Sequence, residues 1–151
     1  MLFHTHLMLG ICAFILFGDY FSGGNQILFF LLVMLGSVLP DIDDGNSKIK
    51  KASGVLGSII SFLFKHRGIF HSLIFVLVMF ILVSFWNNYY AWAITIGYLS
   101  HLVGDAITPM GIKWFYPLSH WRIKGPIKVG SIGEWVILFG LVFLVLKELF
   151  M

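Results

Sequence analysis

The stretch YAWAITIGYLSHLVGDAI, Tyr90–Ile107, decides how this chain folds. Its 18 residues are mostly apolar and come close to the roughly 20 that a helix needs to cross a bilayer. His101 and Asp105 nevertheless lie within it, four positions apart, so a helix places both side chains on one face. Ionisable side chains inside a membrane helix are costly and usually serve a function. The stretch therefore predicts a membrane helix with a chemically active end.

The composition of the whole chain also indicates a membrane protein. Hydrophobic residues make up 59% of the 151 residues and charged residues 11%, against about 25% charged in a typical soluble domain. The mean hydropathy is +0.94. The length is that of one domain, 1–151. The net charge of +3 is spread over the connections rather than gathered in a basic arm, so we expect no nucleic-acid partner. Cys12 is the only cysteine, which excludes a disulfide framework.

Apolar stretches occur five times along the chain, which predicts an all-α, polytopic membrane bundle of about five transmembrane segments. A shorter apolar stretch, Val55–Phe64, is too short to cross and predicts an interfacial helix. Pro40 and Pro109 mark helix ends, since the residue before proline is pushed out of the α region. The five segments are Leu2–Phe17, Ile27–Leu39, Ile69–Trp86, Tyr90–Ile107 and Trp135–Phe150.

The basic residues predict the orientation of these segments. The connections 40–68 and 108–134 carry nine of the ten Lys and Arg residues, and only Lys147 falls on the opposite side. Positive connections face the cytoplasm. We therefore expect a multi-pass protein of the cytoplasmic (inner) membrane, with its N-terminus inside and its C-terminus outside.

The residues that could bind a metal lie at this same cytoplasmic end. Histidine and carboxylate side chains are common metal ligands. Two alternatives stay open, since His101 and Asp105 could form only a structural hydrogen bond, and the acidic turn after Pro40 could be merely solvated. His4 and His6 are two apart and do not share a helix face, so one could be a ligand while the other faces solvent. His6 is preferred, because it lies deeper in the span. The predicted metal ligands are His6, Asp41, His71, His101 and Asp105.

Further polar residues in the two basic connections predict catalytic and substrate-binding roles. Asp43 or His66 could accept a proton from water. Arg67 offers a planar fork suited to phosphate or carboxylate, and Arg122 and Lys124 could hold an anionic group. Interfacial snorkelling is the alternative for the basic residues. The sequence leaves open whether a further set belongs to the site: His4, Asp44, His120 and Glu134.

Taken together, these motifs resemble those of the YdjM family, described as membrane-bound, metal-dependent hydrolases and as LexA-binding, inner-membrane-associated proteins. The resemblance runs from residue 5 to about 128 and rests mainly on HRGIFHS, 66–72, and GYLSHLVGD, 97–105. Thr5-His6, LPDID at 39–43 and TPMG at 108–111 match as well. The motif order is also similar to that of zinc-dependent phospholipase C. That likeness implies a first metal on Asp41, His71, His101 and Asp105, with His6 joining Asp105 at a second.

The expected function is that of a membrane-bound hydrolase with one or two divalent ions. The mixed His and Asp ligand set favours zinc, with manganese or iron as alternatives. Its depth favours a phosphoester in a lipid or amphiphile head group as the substrate. One alternative is a non-catalytic membrane adaptor with a structural metal and a cytoplasmic protein partner. The other is a metal or proton transporter. The outer half of the segments disfavours it, because that half carries almost no polar residue. The oligomeric state stays open.

Overall fold

The computed structural model describes residues 1–43 and 68–150, and within these ranges the chain forms five α-helices and three short 3-10 turns. The five helices agree with the five predicted segments to within a few residues. No strand occurs in these two ranges, although Ile112 and Ile123 form an isolated β-bridge. The predicted interfacial helix Val55–Phe64 lies outside the described residues. The helices are α1 (Phe3–Phe17), α2 (Gln26–Val38), α3 (Leu73–Ser84), α4 (Asn88–Ala106) and α5 (Ile132–Phe150).

Membrane crossing by all five helices stays a prediction. Phe3–Tyr20, which is α1 with its 3-10 extension, is the one helix in the described ranges that is long and apolar enough to cross a bilayer. Gln26–Ile42 and Leu73–Ser84 are apolar but shorter. The all-helical part of the predicted fold class is therefore confirmed, whereas the number of spans is not established.

Side-chain caps determine where three of the helices begin. The Asn25 side chain accepts hydrogen bonds from the backbone N–H groups of Ile27 and Leu28, at 2.9 and 3.1 Å. Asn87 caps α4 in the same way, and Ser72 accepts from the N–H of Phe75 at the start of α3. Such caps satisfy N–H groups that have no partner within the helix. They separate helices that the hydropathy pattern alone would extend.

Helix α4 is the centre of the bundle, since it packs against α1, α2 and α3, while α5 packs against α1. The α2–α4 contact is the most extensive and rests on two glycines. A Cβ atom at Gly36 would overlap the carbonyl oxygen of Ile94, and one at Gly97 would overlap that of Val33. The backbones of α2 and α4 therefore touch, as small residues allow between membrane helices. This contact fixes the end of α2 beside the last two turns of α4.

The connection 107–131 folds back over that same end of the bundle. The backbone N–H of Leu73, the first residue of α3, donates to the carbonyl of Trp114 at 2.8 Å. The N–H groups of Gly125 and Ile127 donate to the carbonyls of Thr108 and Ile107 just after α4. The connection therefore ties the start of α3 to the end of α4.

Candidate metal centre

The five predicted metal ligands come from four separate chain segments and meet at one end of the bundle. His6 lies in the first turns of α1, and Asp41 lies in the 3-10 turn Leu39–Asp43 that follows α2. His71 closes the 3-10 turn Ile69–His71, and His101 and Asp105 lie on α4. The side chains of the three histidines and of Asp105 are fully buried, whereas that of Asp41 is 17% exposed. Asp41 is therefore the member of the cluster nearest the surface.

Four nitrogen–oxygen distances define a ring of electron-rich atoms within this cluster. The Nε2 of His101 lies 3.5 Å from Oδ1 of Asp41 and 3.8 Å from Oδ2 of Asp105. The Nε2 of His71 lies 3.9 and 3.6 Å from the same two oxygens. These distances exceed those of ordinary hydrogen bonds. Ligands of a tetrahedral zinc ion, each about 2.1 Å from the metal, lie about 3.4 Å apart. The four distances in the ring exceed that spacing by only a few tenths of an ångström.

The hydrogen bond made by His101 determines which of its nitrogens faces the ring. Its Nδ1 lies 2.9 Å from the carbonyl oxygen of Ser37. A carbonyl oxygen only accepts, so Nδ1 must carry the proton and the neutral ring presents the lone pair of Nε2 to the two carboxylates. That Nε2 is buried and forms no hydrogen bond with residues 1–43 or 68–150. A backbone carbonyl that orients a ligating histidine in this way is common around protein-bound metals.

His6 lies on the other side of the Asp105 carboxylate. Its Nε2 is 3.4 Å from Oδ1 of Asp105, and the amino group of Met1 is 2.7 Å from the same oxygen. The His6 ring stacks on that of His101, with their centroids 3.7 Å apart. Gly104 permits this approach, since a Cβ there would lie 3.2 Å from two atoms of the His6 ring. Two overlapping groups could hold a metal: His6, Asp41 and His101, and His71, His101 and Asp105.

The continuous apolar run from Ile69 to Trp86 predicts that His71 lies inside the third helix. That prediction is wrong, because His71 lies in the 3-10 turn before it. It precedes the helix, because Ser72 is extended (φ −128°, ψ 151°) and caps α3. The hydroxyl of Tyr98 donates to the carbonyl of Phe70 at 2.6 Å, which ties this turn to α4. His71 therefore reaches the cluster from a turn held by both its neighbours.

Glu134, which the sequence leaves open, is buried beside the start of α1. One of its carboxylate oxygens accepts from the backbone N–H of Leu2 and the other from that of Gly130, both at 2.6 Å. These bonds join the start of α5 to the start of α1, four residues before His6.

The sequence also gives no sign of the role of Ser37, because that role is played by a backbone carbonyl, which every residue type carries.

The structure describes some of the remaining predicted site residues and not others. Asp43 ends the 3-10 turn that carries Asp41, while Asp44, His66 and Arg67 lie outside the described residues. Arg122 and Lys124 are exposed in the connection 107–131, where Arg122 donates to the carbonyl of Met110 at 3.3 Å. Two open candidates are also exposed: His4, whose ring contacts that of Trp135, and His120.

The fold and the site define a helical protein with a buried cluster of histidine and aspartate at one end of an apolar bundle. The chain belongs to the family described as YdjM inner membrane protein, whose profile matches residues 1–150. It is therefore a membrane protein. It is 36% identical over 141 residues to the uncharacterized protein YvsG of Bacillus subtilis, covering 91% of this chain and 87% of the relative. It is 33% identical over 110 residues to the inner membrane proteins YdjM of Escherichia coli and Shigella flexneri, covering 67% of this chain and 55% of each relative. No solved structure matches the chain.

Proposed function

We propose that this protein is a membrane-bound, metal-dependent hydrolase that cleaves a phosphoester in a lipid or amphiphile head group. The proposed cofactor is zinc, with manganese or iron as alternatives, in one or two ions. The five helices are proposed to cross the cytoplasmic membrane, with the cluster at the cytoplasmic side. The basic residues of the connections 40–68 and 108–134 support this orientation.

The ring formed by Asp41, His71, His101 and Asp105 is the observation that carries the proposal. Two imidazole nitrogens and two carboxylate oxygens lie 3.5–3.9 Å apart in a buried place. The Nε2 lone pair of His101 faces one oxygen of Asp41 and one oxygen of Asp105, while the amino group of Met1 contacts the other oxygen of Asp105. Such an arrangement is repulsive in a low dielectric unless a cation is shared by the facing atoms. The donor set therefore fits a divalent metal.

The proposed reaction is hydrolysis of the phosphoester by water. The water oxygen bonds to phosphorus, the ester P–O bond breaks, and the departing alkoxide oxygen receives a proton. A bound divalent metal would lower the pKa of water and polarise the phosphoryl oxygen. Asp43 or His66 is proposed to accept the proton of the attacking water. Asp41, the one partly exposed member of the ring, is proposed to lie on the side from which water and substrate arrive.

Binding of the anionic group is proposed for the basic side chains of the two connections. Arg67, Arg122 and Lys124 belong to the chain segments that follow Asp41 and Asp105 in sequence. A guanidinium group matches the planar geometry of phosphate oxygens. Substrate recognition at this end would keep the lipid head group at the membrane interface.

Metal content measured by elemental mass spectrometry tests the first step of the proposal. The detergent-purified protein should contain near-stoichiometric metal after incubation with zinc, and the His101→Ala/Asp105→Ala double variant should lose it. His4→Ala is the matched control for His6→Ala, because both residues lie on α1 but only His6 is in the cluster. The control should keep the wild-type metal content. Absence of metal from the wild-type protein after zinc, manganese and iron have each been tried would refute the proposal.

Activity tests the second step. Zinc-loaded protein in lipid vesicles would be assayed for release of the alcohol or of the phosphorylated product from a panel of phosphoester lipids. Turnover should disappear in a chelator, return with zinc, and be absent from the double variant. Metal binding without turnover of any phosphoester would refute hydrolysis while leaving the metal site intact.

A non-catalytic adaptor with a structural metal is the second candidate, and one observation favours it. The ring already offers four protein atoms, and a zinc ion with four protein ligands has no position left for water. X-ray absorption spectroscopy of the zinc-loaded protein would distinguish the two. A first shell of four protein ligands favours the adaptor, whereas a shell that includes a water oxygen favours the hydrolase.

A further inference from the structure

A long apolar groove runs along the bundle between α4 and α5, with α1 as its floor. Its volume is about 590 Å³. Leu9, Cys12 and Leu16 of α1 line the floor, Trp92 and Val103 of α4 line one wall, and Leu144 of α5 lines the other. Helices α4 and α5 both pack on α1, so the groove is the space left between them.

The hydroxyl and the thiol along this groove are already bonded within the protein. Ser100 Oγ donates to the carbonyl of Gly97 at 2.7 Å. Cys12 Sγ lies 3.9 Å from the carbonyl oxygen of Leu141. Apart from the indole N–H of Trp92, the lining side chains therefore offer an occupant mainly dispersion contacts and removal from water. Its occupant must be apolar along most of its length.

The length of the groove corresponds to one leaflet of a bilayer. Trp92 and Val103 are eleven residues apart on α4, which is about 16 Å along a helix that rises about 1.5 Å per residue. Half of a hydrocarbon core about 30 Å thick is about 15 Å. A single acyl chain from one leaflet therefore matches the groove in length.

One end of the groove lies beside the His and Asp cluster of the candidate metal centre. A Cβ atom at Gly104 would lie 2.7 Å from Leu9, which lines the groove, and 3.2 Å from the ring of His6. Ser100, on the groove wall, is adjacent in sequence to His101. A chain that filled the groove would therefore bring the atoms attached to its polar end towards His6 and His101.

We infer that this groove binds one acyl chain of a membrane glycerophospholipid and presents the head group of that lipid to the His and Asp cluster. The chain belongs to a membrane protein family, so lipid is the apolar partner that surrounds the groove. Binding of the acyl chain stands on the groove alone. The naming of a glycerophospholipid as the substrate class rests on the proposed hydrolase function.

Photo-cross-linking tests the groove without any need for metal or activity. The probe is phosphatidylglycerol with a diazirine in the middle of one acyl chain, in vesicles of phosphatidylethanolamine and phosphatidylglycerol that contain a chelator. Adducts mapped by mass spectrometry should concentrate on the groove segments 9–17, 92–103 and 141–144. The exposed apolar face of α3, at Leu77 and Leu82, reports labelling of the general lipid-facing surface and should carry far fewer adducts.

Two tryptophan substitutions on α5 form a matched pair. Leu144 lines the groove and is 52% exposed, whereas Leu146 is 46% exposed and does not line it. Leu144→Trp should lower groove labelling by about tenfold, because exclusion of a few buried methylene groups is worth that factor. Leu146→Trp should leave it unchanged. Leu16→Trp, on the α1 floor, should repeat the effect of Leu144→Trp and guards against a folding artefact in one variant.

The outcomes separate this inference from the proposed hydrolase function. Equal labelling of α3 and the groove would overturn the inference, as would labelling that is insensitive to both groove substitutions. Absence of lipid adducts from the groove, together with links between the groove segments of two copies when a bifunctional chemical cross-linker is added to the same vesicles, would assign the groove to a second copy of the chain and would also overturn the inference. Groove labelling in a protein that binds no metal would uphold acyl-chain binding and refute only the hydrolase.

Discussion

A substitution at Gly97 tests directly whether the packing of α2 against α4 sets the geometry of the His and Asp cluster. In a Gly97→Ala variant the Cβ atom would overlap the carbonyl oxygen of Val33 and lie 2.9 Å from the backbone nitrogen of Ser37. Backbone atoms cannot rotate away as a side chain can, so α2 and α4 must move apart. Restoring contacts of about 3.5 Å requires a separation of about 0.6 Å at the Ser37 nitrogen and a larger one at the Val33 carbonyl oxygen.

That separation acts on the contacts that orient His101. The Ser37 carbonyl lies 2.9 Å from Nδ1 of His101, and Asp41, one helical turn beyond Ser37, lies 3.5 Å from its Nε2. Metal sites tolerate changes of only about 0.2 Å in ligand distance. We expect Gly97→Ala to weaken zinc binding by about 10- to 100-fold, as loss of an orienting partner does. Overpacking should also lower the free energy of unfolding by about 1–3 kcal/mol.

The assay is a zinc titration of the purified variant against a competing chelator, together with its thermal unfolding. Gly140→Ala is the matched control, since Gly140 lies within α5 and a Cβ there would meet nothing within 4 Å. The control should keep wild-type zinc affinity and gain about 0.4–1 kcal/mol in stability. Wild-type zinc affinity in Gly97→Ala would refute the argument that the α2–α4 contact sets the ligand geometry.

Three further predictions concern the contacts around the cluster. Tyr98→Phe removes the hydroxyl that donates to the carbonyl of Phe70; unfolding should become easier by about 1 kcal/mol, and an unchanged midpoint in chemical denaturation would contradict this. Glu134→Gln loses charge-assisted bonds to the N–H groups of Leu2 and Gly130 and should cost about 1.5–3 kcal/mol, measured by the same denaturation. Zinc at about 100 times its dissociation constant should stabilise the wild-type protein by about 2.7 kcal/mol, seen as a higher unfolding temperature that a chelator reverses; a temperature insensitive to zinc would contradict folded-state binding.

The hydropathy pattern predicts the helices well because apolar runs and helix lengths are local properties. The run Ile69–Trp86 shows its limit. The pattern is continuous there, yet the chain forms a 3-10 turn, an extended Ser72 and only then a helix. The break depends on one hydroxyl and its bond to the N–H of Phe75. Ser72, two residues after Phe70, ends the 3-10 turn and caps the helix that follows. A hydropathy average over the run does not single it out from its apolar neighbours.

The cluster was predictable as a set of residues but not as a geometry. Sequence spacing places His101 and Asp105 on one face, and the positive connections place the other candidates at the same end. The sequence does not show that one oxygen of the Asp105 carboxylate faces His6 and the other faces His71. That division depends on how α1 and the turn before α3 approach α4, which is set by tertiary contacts such as the one at Gly104.

The bond from His101 to Ser37 bears on how many ions the cluster can hold. The two groups that could bind a metal, His6 with Asp41 and His101, and His71 with His101 and Asp105, both need His101. Its Nδ1 is committed to the Ser37 carbonyl, so only Nε2 remains, and its single lone pair can bind one ion. Two ions therefore cannot occupy both groups with their full ligand sets. The ring that includes His71 offers four protein atoms, so on the proposed function a first ion would bind there. A second would depend on His6, Asp105 Oδ1 and ligands from outside the cluster.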